Sequence, residues 1–525
     1  MQRPELTYTQ RMLFGGMLLL TLLRWWLGAS LEISPGEALL AEWGRHPSMA
    51  GLHGGFGTAW FSWMSTAVLG ETAFGVRFFS PLLAAVASAV LYRLVSSLTN
   101  DKAAAWAVAL FNLIPLVNMA AVFLRPEMPG MMFLLCGMAA VWRALRRASA
   151  WDWHWLLAGL LFGAGFLCWY GALFGPVSTL VLLLASRRWR RQLLRPGVYI
   201  MLAIAALFVW PVWHWNKENS MAGWYYFMEH VRPAGAGSLA APVMMAGKWA
   251  LFTTPFIFLG FVWALWAALR RWPQSDAARF FAAFALTPAL AGLAASVWGG
   301  ASAWWLAPAM PALCGLLPWA WEFVLAERLE LKQRFQWLAV LPTLVMTPLA
   351  LDAQILRHAG LPLSLVNDPS RDWRGWDAIA REVTRITMGA SRQSGSDNKG
   401  ASRLFLIARD ERLTSVLNFL LPRQLPVRWP SVEYPLVHCL ESGLIENVYH
   451  AWPRYDAWPG GRNAFAGCTA LYISDDERAD PPPNISRAFE SWSVVALFDV
   501  SWHGLPLRRV RVFACFSYRG LPVAF

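Results

Sequence analysis

Residues 11–31 read RMLFGGMLLLTLLRWWLGASL, an apolar run long enough to cross a hydrocarbon core, which takes about 17–25 residues. Arg11 opens it, and Arg24, beside Trp25 and Trp26, is the single charge inside it. The run is long and no small-residue cleavage pattern follows it, so it reads as a retained span rather than a cleaved leader. Working outward, further runs of this kind lie near 78–98, 103–123, 127–143, 153–171, 172–186, 197–213, 248–269, 280–297, 302–321 and 335–352. The expectation is a polytopic α-helical membrane protein with about 11 spans, the sixth of them short. Composition agrees. Apolar residues make up 57% of the 525 and charged residues 15%, against about 25% in soluble domains. So few charges cannot cover a soluble surface, which excludes an ordinary cytosolic enzyme, a disordered chain and a disulfide-stapled module. The 33 tryptophans against 11 tyrosines suit the headgroup zone, and indole also stacks on lipid or sugar.

Loop charge sets an expected orientation. With the N-terminus cytoplasmic, the inner loops hold eighteen basic residues, including Arg143, Arg146 and Arg147 and the cluster from Arg187 to Arg195. The outer connections hold five: Arg45, Arg77, Arg125, Lys217 and Arg232. This asymmetry follows the positive-inside rule and accounts for much of the +13 net charge without nucleic acid. It orients a multi-pass membrane chain with its C-terminal domain on the outer, periplasmic or extracellular, side.

Two domains are expected: a membrane domain over 1–355, with outer loops 32–77 and 214–243, and an extracytoplasmic α/β domain over 366–525. In the latter, Trp376, Ile379, Val383 and Ile386 share one face of a helix over 374–387, and 388–402 reads as a polar loop. Short apolar runs at 404–408, 469–474, 494–500 and 510–516 read as strands. Asp475 and Asp476 follow a strand end and read as a turn. Cys439, Cys468 and Cys515 permit at most one internal bridge, while Cys136, Cys168 and Cys314 lie in spans as buried thiols. There is no internal repeat and no CxxC, HExxH, Walker A or GxGxxG element. Ionisable residues within the spans are scarce, Arg24 being the clear case, with Glu127 at a membrane edge. A coupled transporter needs more.

Polar chemistry therefore gathers in the outer loops. In 32–77, Ser34 and Pro35 begin a helix with Glu37 in its first turn, and 56–69 reads as a surface helix lined by Phe56, Trp60, Trp63 and Met64. In Arg125-Pro126-Glu127-Met128-Pro129 two prolines bracket a glutamate on a rigid, non-helical corner. The loop 214–243 is rich in aromatics and long enough to cover a cavity.

These residues bring a family into view. Glu37 and His53-Gly54-Gly55 partly keep an acidic opening followed by a His-Pro-Pro element, and Gly70, Phe74 and Arg77 repeat a Gly-x-x-x-Phe-x-x-Arg entry to the second span. Trp169-Tyr170 and Trp215-Asn216 fall where relatives carry Lys-Tyr and Trp-Asn. In the tail, 447–453 (NVYHAWP) resembles an Asn-Gln-Tyr-Asp-Leu-Trp-Pro element, and 489–520 resembles the closing strands of such chains. Over nearly its whole length the chain resembles the bacterial GT-C-fold membrane glycosyltransferases related to lipid A aminoarabinose transferases and protein O-mannosyltransferases.

The resemblance implies transfer of a sugar from a polyprenyl-phosphate donor to a lipid, glycan or protein acceptor on the outer face, with inversion. A carboxylate takes the acceptor proton and cations stabilise the departing lipid phosphate. Carried over by position, the catalytic candidates are Glu37 and Glu127, and the substrate-binding candidates are His53, Arg77, Arg125, Tyr170, Lys217 and Arg232. No cofactor is expected. A divalent cation is also compatible with the family, with Glu37, Glu127 and His53 as its only local ligands, although a hard cation wants more oxygens. The departures are specific. Gly36 stands where relatives place a catalytic Asp, Glu127 replaces a later Asp, and Trp169 replaces a Lys. Each candidate also has a plain structural reading: Glu37 as a first-turn carboxylate, Glu127 as the ion-pair partner of Arg125, Arg77 as an anchor, Tyr170 as interfacial belt. Two functions stay open, an active transferase and a catalytically degenerate relative that serves as a lipid-binding or assembly scaffold.

Overall fold

The structure, a computed structural model, describes residues 8–46, 50–52, 54–147, 152–231, 240–297, 302–352, 360, 369–393, 403–431, 433–440, 445–457, 463–476, 478–502 and 505–520. The chain forms two compact units, Met1–Ala29 with Ser48–Ala359 and Ser30–Pro47 with Gly360–Phe525. This divides the expected loop 32–77. Residues 30–47 join the second unit because the Pro35–Arg45 helix buries Ala38, Ala41, Glu42 and Trp43, packing against the Glu411–Leu420 helix.

The first unit is helical. Among the described residues, six helices are long and apolar enough to cross a membrane: Gln10–Ser30, Ala73–Leu98, Glu127–Arg146, Pro196–Glu218, Asp276–Val297 and Leu329–Leu351. Two bent pairs bring the number to eight, Asp101–Leu113 with Pro115–Val122 (67°) and Ala240–Thr253 with Pro255–Arg270 (113°). Every run expected to span falls largely on helix, but several are too short to count. Trp153–Cys168 has 16 residues, about 24 Å of helix against a core of about 30 Å. Small residues let the helices approach. A Cβ on either Gly137 or Gly175 would come within 2.3 Å of the Phe162 ring.

The first bent pair shows how a break survives inside such a unit. Pro115 has no N–H to continue the helix, and the break falls at Ile114. Freed carbonyls away from water must find other donors. Asn118 Nδ2 donates to the carbonyls of Asn112 and Ile114, and Thr347 Oγ1 donates to that of Leu113 (2.8 Å). Arg24 fixes which way the amides face. Its Nη1 donates to Asn112 Oδ1 (3.1 Å) and its Nη2 to Asn118 Oδ1 (2.6 Å), so both amide nitrogens are left to donate elsewhere. Arg24 is 1% exposed. Burying an arginine at mid-membrane costs about 2.5–3.5 kcal/mol on insertion scales. Two hydrogen bonds to a charged group contribute about 1.5–3 kcal/mol each, enough to offset it.

An antiparallel hairpin, β1 (Ala50–Gly51) and β2 (Gly54–Gly55), precedes the Gly57–Leu69 helix. Trp60, Trp63 and Met64 are exposed on that helix, as expected of a surface helix. Phe56 is not on that face. It precedes the helix and is buried, its ring edge-on to Trp60 at 5.7 Å.

The second unit is built on five strands, β3 (Leu404–Ala408), β4 (Val437–Cys439), β5 (Thr469–Ser474), β6 (Phe489–Trp502) and β7 (Leu505–Tyr518), in the order β4-β3-β5-β7-β6. β3 runs parallel to β4 and β5, while β7 is antiparallel to both β5 and β6. The residues of β3 are all buried, matching an unbroken apolar run. The hairpin strands extend beyond the expected 494–500 and 510–516 because their flanks pair through the backbone whatever their polarity. The Trp376–Gln393 helix buries Trp376, Ile379, Val383 and Ile386. It runs past Thr387 into the expected loop, of which 394–402 lies outside the described residues. Glu32 Oε2 accepts the N–H of Trp376 (2.7 Å) at that helix's start. Burial and the charge of Asp377 raise the Glu32 pKa, outweighing these backbone hydrogen bonds and Arg508. All six cysteines are unpaired.

His438 on β4 sits in an aromatic box, its ring 5.0 Å from Phe465 and 5.5 Å from Tyr455. Burial pushes its pKa down to about 3, with Asp456 opposing weakly. The unfolded chain therefore binds this proton first. The contribution is intact above about pH 6.5 and is lost as pH falls toward 3, by ~1.4 kcal/mol per pH unit. Thermal unfolding of the solubilised protein should lose stability between about pH 6.5 and pH 4.5, and His438→Phe should flatten that slope. An unchanged slope in the variant would show that other groups carry it.

Candidate active site

The sequence candidates fall into separate places. In the first unit, Phe123 and Leu124 lead from the Pro115–Val122 helix into Arg125 and Pro126, and Glu127 opens the next helix. The corner is thus Arg125-Pro126, and Glu127 is the first helical residue rather than part of a non-helical turn. Its carboxylate is buried and held by two contacts, Arg125 Nε to Oε2 and Nη2 to Oε1, both 3.2 Å. The guanidinium lies 3.8 Å over the Trp304 ring, a cation–π contact of about 0.5–2 kcal/mol. The Arg125 side chain keeps 34% of its surface exposed while that of Glu127 keeps 8%. A planar cation therefore faces outward with its counter-ion beneath it, a form suited to phosphate.

The neighbouring turn, Tyr170–Leu173, packs on this helix start. Trp169 covers Gly130, where a Cβ would come within 2.8 Å of the indole. Tyr170 is half-buried and stacks on Phe166 at 5.0 Å, in a cluster with Val212 and Trp215. Lys217 is exposed in the last turn of the Trp210–Glu218 helix. Asn216 beside it shapes the following loop by accepting the N–H of Trp224 (2.9 Å). Arg77, expected at the phosphate, is 1% exposed. Its Nη1 donates to the Gly28 carbonyl (2.7 Å) and its guanidinium lies 5.0 Å over Phe123, so it braces the chain just before the corner. His53 and Arg232 lie outside the described residues.

Glu37 belongs to the second unit. Its Oε2 accepts from Ser34 N (3.0 Å) and Ser34 Oγ (2.8 Å), while Ser34 Oγ accepts from Glu37 N. This is a capping box, and it gives Glu37 a structural task. Gly36 is exposed, and a Cβ there would meet nothing within 4 Å. The same helix carries a carboxylate that the sequence reading missed. Glu42 is buried with Arg45, His46 and Arg423 around it. Burial works to raise its pKa, but the His46 hydrogen bond and the two guanidinium charges prevail and hold it low. The i+3 and i+4 spacing of Arg45 and His46 was the available signal. His46 also stacks on Trp452 at 4.1 Å, joining the first-loop helix to the 447–453 element. That element is set by Asn447 Oδ1 accepting from His450 N and by Glu411 accepting from Val448 N.

Among the described residues no three His, Cys, Asp or Glu side chains converge as a cation site. Glu127 is held by a guanidinium and Glu37 by Ser34.

Residues 53–215 match the family described as dolichyl-phosphate-mannose-protein mannosyltransferase. No curated protein matches the chain. Among solved structures, the chain is similar to ArnT from Cupriavidus metallidurans bound to undecaprenyl phosphate, at 15% identity over 97% of this chain and 99% of that one, with a TM-score of 0.58. It is also similar to ArnT of the same organism in the apo state, at 16% identity over 98% and 99%, with a TM-score of 0.55. At such identity the likeness speaks for the fold. The chain has the GT-C fold of membrane glycosyltransferases such as ArnT, and the family match lies within it, over residues 53–215.

Proposed function

We propose that the chain is an integral membrane glycosyltransferase that moves a sugar from a polyprenyl-phosphate donor to a lipid, glycan or protein acceptor. The reaction takes place at the outer face of a bacterial inner membrane. About eleven membrane segments, a cytoplasmic N-terminus and an outward second unit complete the reading. The observation that carries it is the Arg125–Glu127 pair on Trp304: an outward planar cation with a buried carboxylate beneath. The undecaprenyl phosphate of the ArnT structure supports a lipid phosphate as its partner.

The acceptor hydroxyl attacks the anomeric carbon as the bond from that carbon to the phosphate oxygen breaks. The electron pair leaves with the lipid phosphate, and the configuration inverts. Arg125 meets the developing phosphate charge, with Lys217, Arg232 and His53 as further contacts. When Arg125 turns to the phosphate, Glu127 loses its counter-ion and becomes free to take the acceptor proton. Glu37 is the alternative base, and Arg77 and Tyr170 hold the surrounding chain.

The scaffold reading rests on a specific observation too: both candidate carboxylates are already engaged and the position of the relatives' Asp is Gly36. A radiolabelled polyprenyl-phosphate sugar assay in proteoliposomes separates the two. Glu127→Gln should lower kcat by roughly 10²–10⁴-fold, the usual contribution of a general base. Glu37→Gln should stay within about threefold, because glutamine also completes a capping box. Wild-type protein that binds the lipid but consumes none with any acceptor would leave the scaffold reading standing.

Gly36→Asp supplies a second test. The position is open, and an aspartate in the first turn adds about 0.3–1 kcal/mol of dipole stabilisation. The variant should melt no lower than wild type and turn over faster in the same assay. Slower turnover in a normally folded variant would contradict a missing carboxylate as the limiting feature.

A further inference from the structure

We propose a second binding site, for a neutral saccharide unit, in the crevice at the carboxyl ends of the parallel strands of the second unit. The topology selects the place. From β3 the chain passes through the Glu411–Leu420 helix to β4 on one side, and β5 then pairs with the other side of β3. In such open sheets the connections diverge above the strand ends and leave a ligand crevice there. A half-open cleft of about 160 Å³ occupies this point, smaller than the pockets of drug-sized ligands, which confines the occupant to one small ring. Its lining includes the residue that follows each of β3 and β4, Arg409 and Leu440, and the last residue of β5, Ser474.

The lining chemistry narrows the ligand. Arg409 reaches Asp475 (3.2 Å) and Asp476 (3.7 Å), and Arg478 reaches Asp476 (3.4 Å), so guanidinium donors and carboxylate acceptors alternate along the rim. Sugar hydroxyls donate and accept at once, and can bridge such pairs. Pro482, half-exposed above the buried rings of Tyr472 and Phe513, whose centroids lie 5.9 Å apart, gives the cleft its apolar contact, which suits the C–H face of a pyranose. An anion is disfavoured. The helix N-terminus that opens at this edge is already capped by Asp410, whose Oδ1 accepts from Leu413 N (2.9 Å), and Glu411 follows in its first turn. A divalent cation is disfavoured as well, since Asp476 lies between two guanidinium groups and a hard ion wants several oxygens. The two arginines and the aspartates Asp476 and Asp480 balance in charge, which favours an uncharged polyhydroxyl ligand.

This site does not depend on the transferase reading, and its test is binding rather than turnover. Full-length protein in nanodiscs is titrated with methyl mannoside, methyl glucoside and a hexose phosphate by saturation-transfer NMR. The proposal expects saturation of at least one neutral glycoside, weakened about tenfold by Asp476→Ala or Arg409→Ala, the loss of one charge-assisted hydrogen bond. Arg478→Ala, at a side chain 70% exposed, should act in the same direction and guards against misfolding of the other two. No transfer to any neutral glycoside, binding indifferent to all three substitutions, or a clear preference for the hexose phosphate would each overturn it.

Discussion

Arg24 is a full charge buried among membrane helices with amide oxygens as its hydrogen-bonding partners, and the first unit is arranged around keeping it there. The cost of the charge is offset only while Asn112 and Asn118 present their oxygens to it. That orientation leaves the Asn118 nitrogen to the carbonyls of Asn112 and Ile114 at the break, and the Asn112 nitrogen to Ser88 Oγ and the Val108 carbonyl. The arrangement is mutual. Without the arginine the amides could turn, and without the amides the arginine would be unpaired in a medium that charges heavily for it. The 67° bend held in this way aims the Pro115–Val122 helix at the corner where Arg125 and Glu127 meet.

The chemistry of that corner depends on the same economy of charge. Glu127 can stay buried because Arg125 lies against it, and Arg125 keeps its pose because Trp304 lies beneath it. In the proposed function, the lipid phosphate competes for Arg125 and so releases Glu127 as the base. In the second unit the carboxylates are set differently. Glu37 caps its helix, and Glu42 lies among Arg45, His46 and Arg423, so both carboxylates already have a part in local folding.

Much of the architecture could be read from the chain because it depends on local pattern. Apolar runs announced the membrane helices, and period-3.6 spacing announced Trp376, Ile379, Val383 and Ile386. Ser34 and Pro35 before Glu37 announced a helix start. The misses were tertiary. Nothing local says that 30–47 packs with the C-terminal unit, since that follows from the facing surface of the Glu411–Leu420 helix. Trp304 could not be paired with Arg125 from sequence, because the two lie far apart along the chain. The Arg24 network was half visible, in two asparagines and a proline within an apolar run, but a bend has no sequence signature until its partners are known. Phe56 went astray because a helix face was continued one residue past its start.

Hydrogen exchange across residues 108–127 in wild type and Arg24→Met tests the central claim most directly. If the buried arginine holds the break, amides around Ile114 and through to Glu127 should lose protection in the variant, while those of the Asp276–Val297 helix keep theirs. Unchanged exchange through the break in the folded variant would contradict it, and would mean that the bend and the corner it aims are held without Arg24.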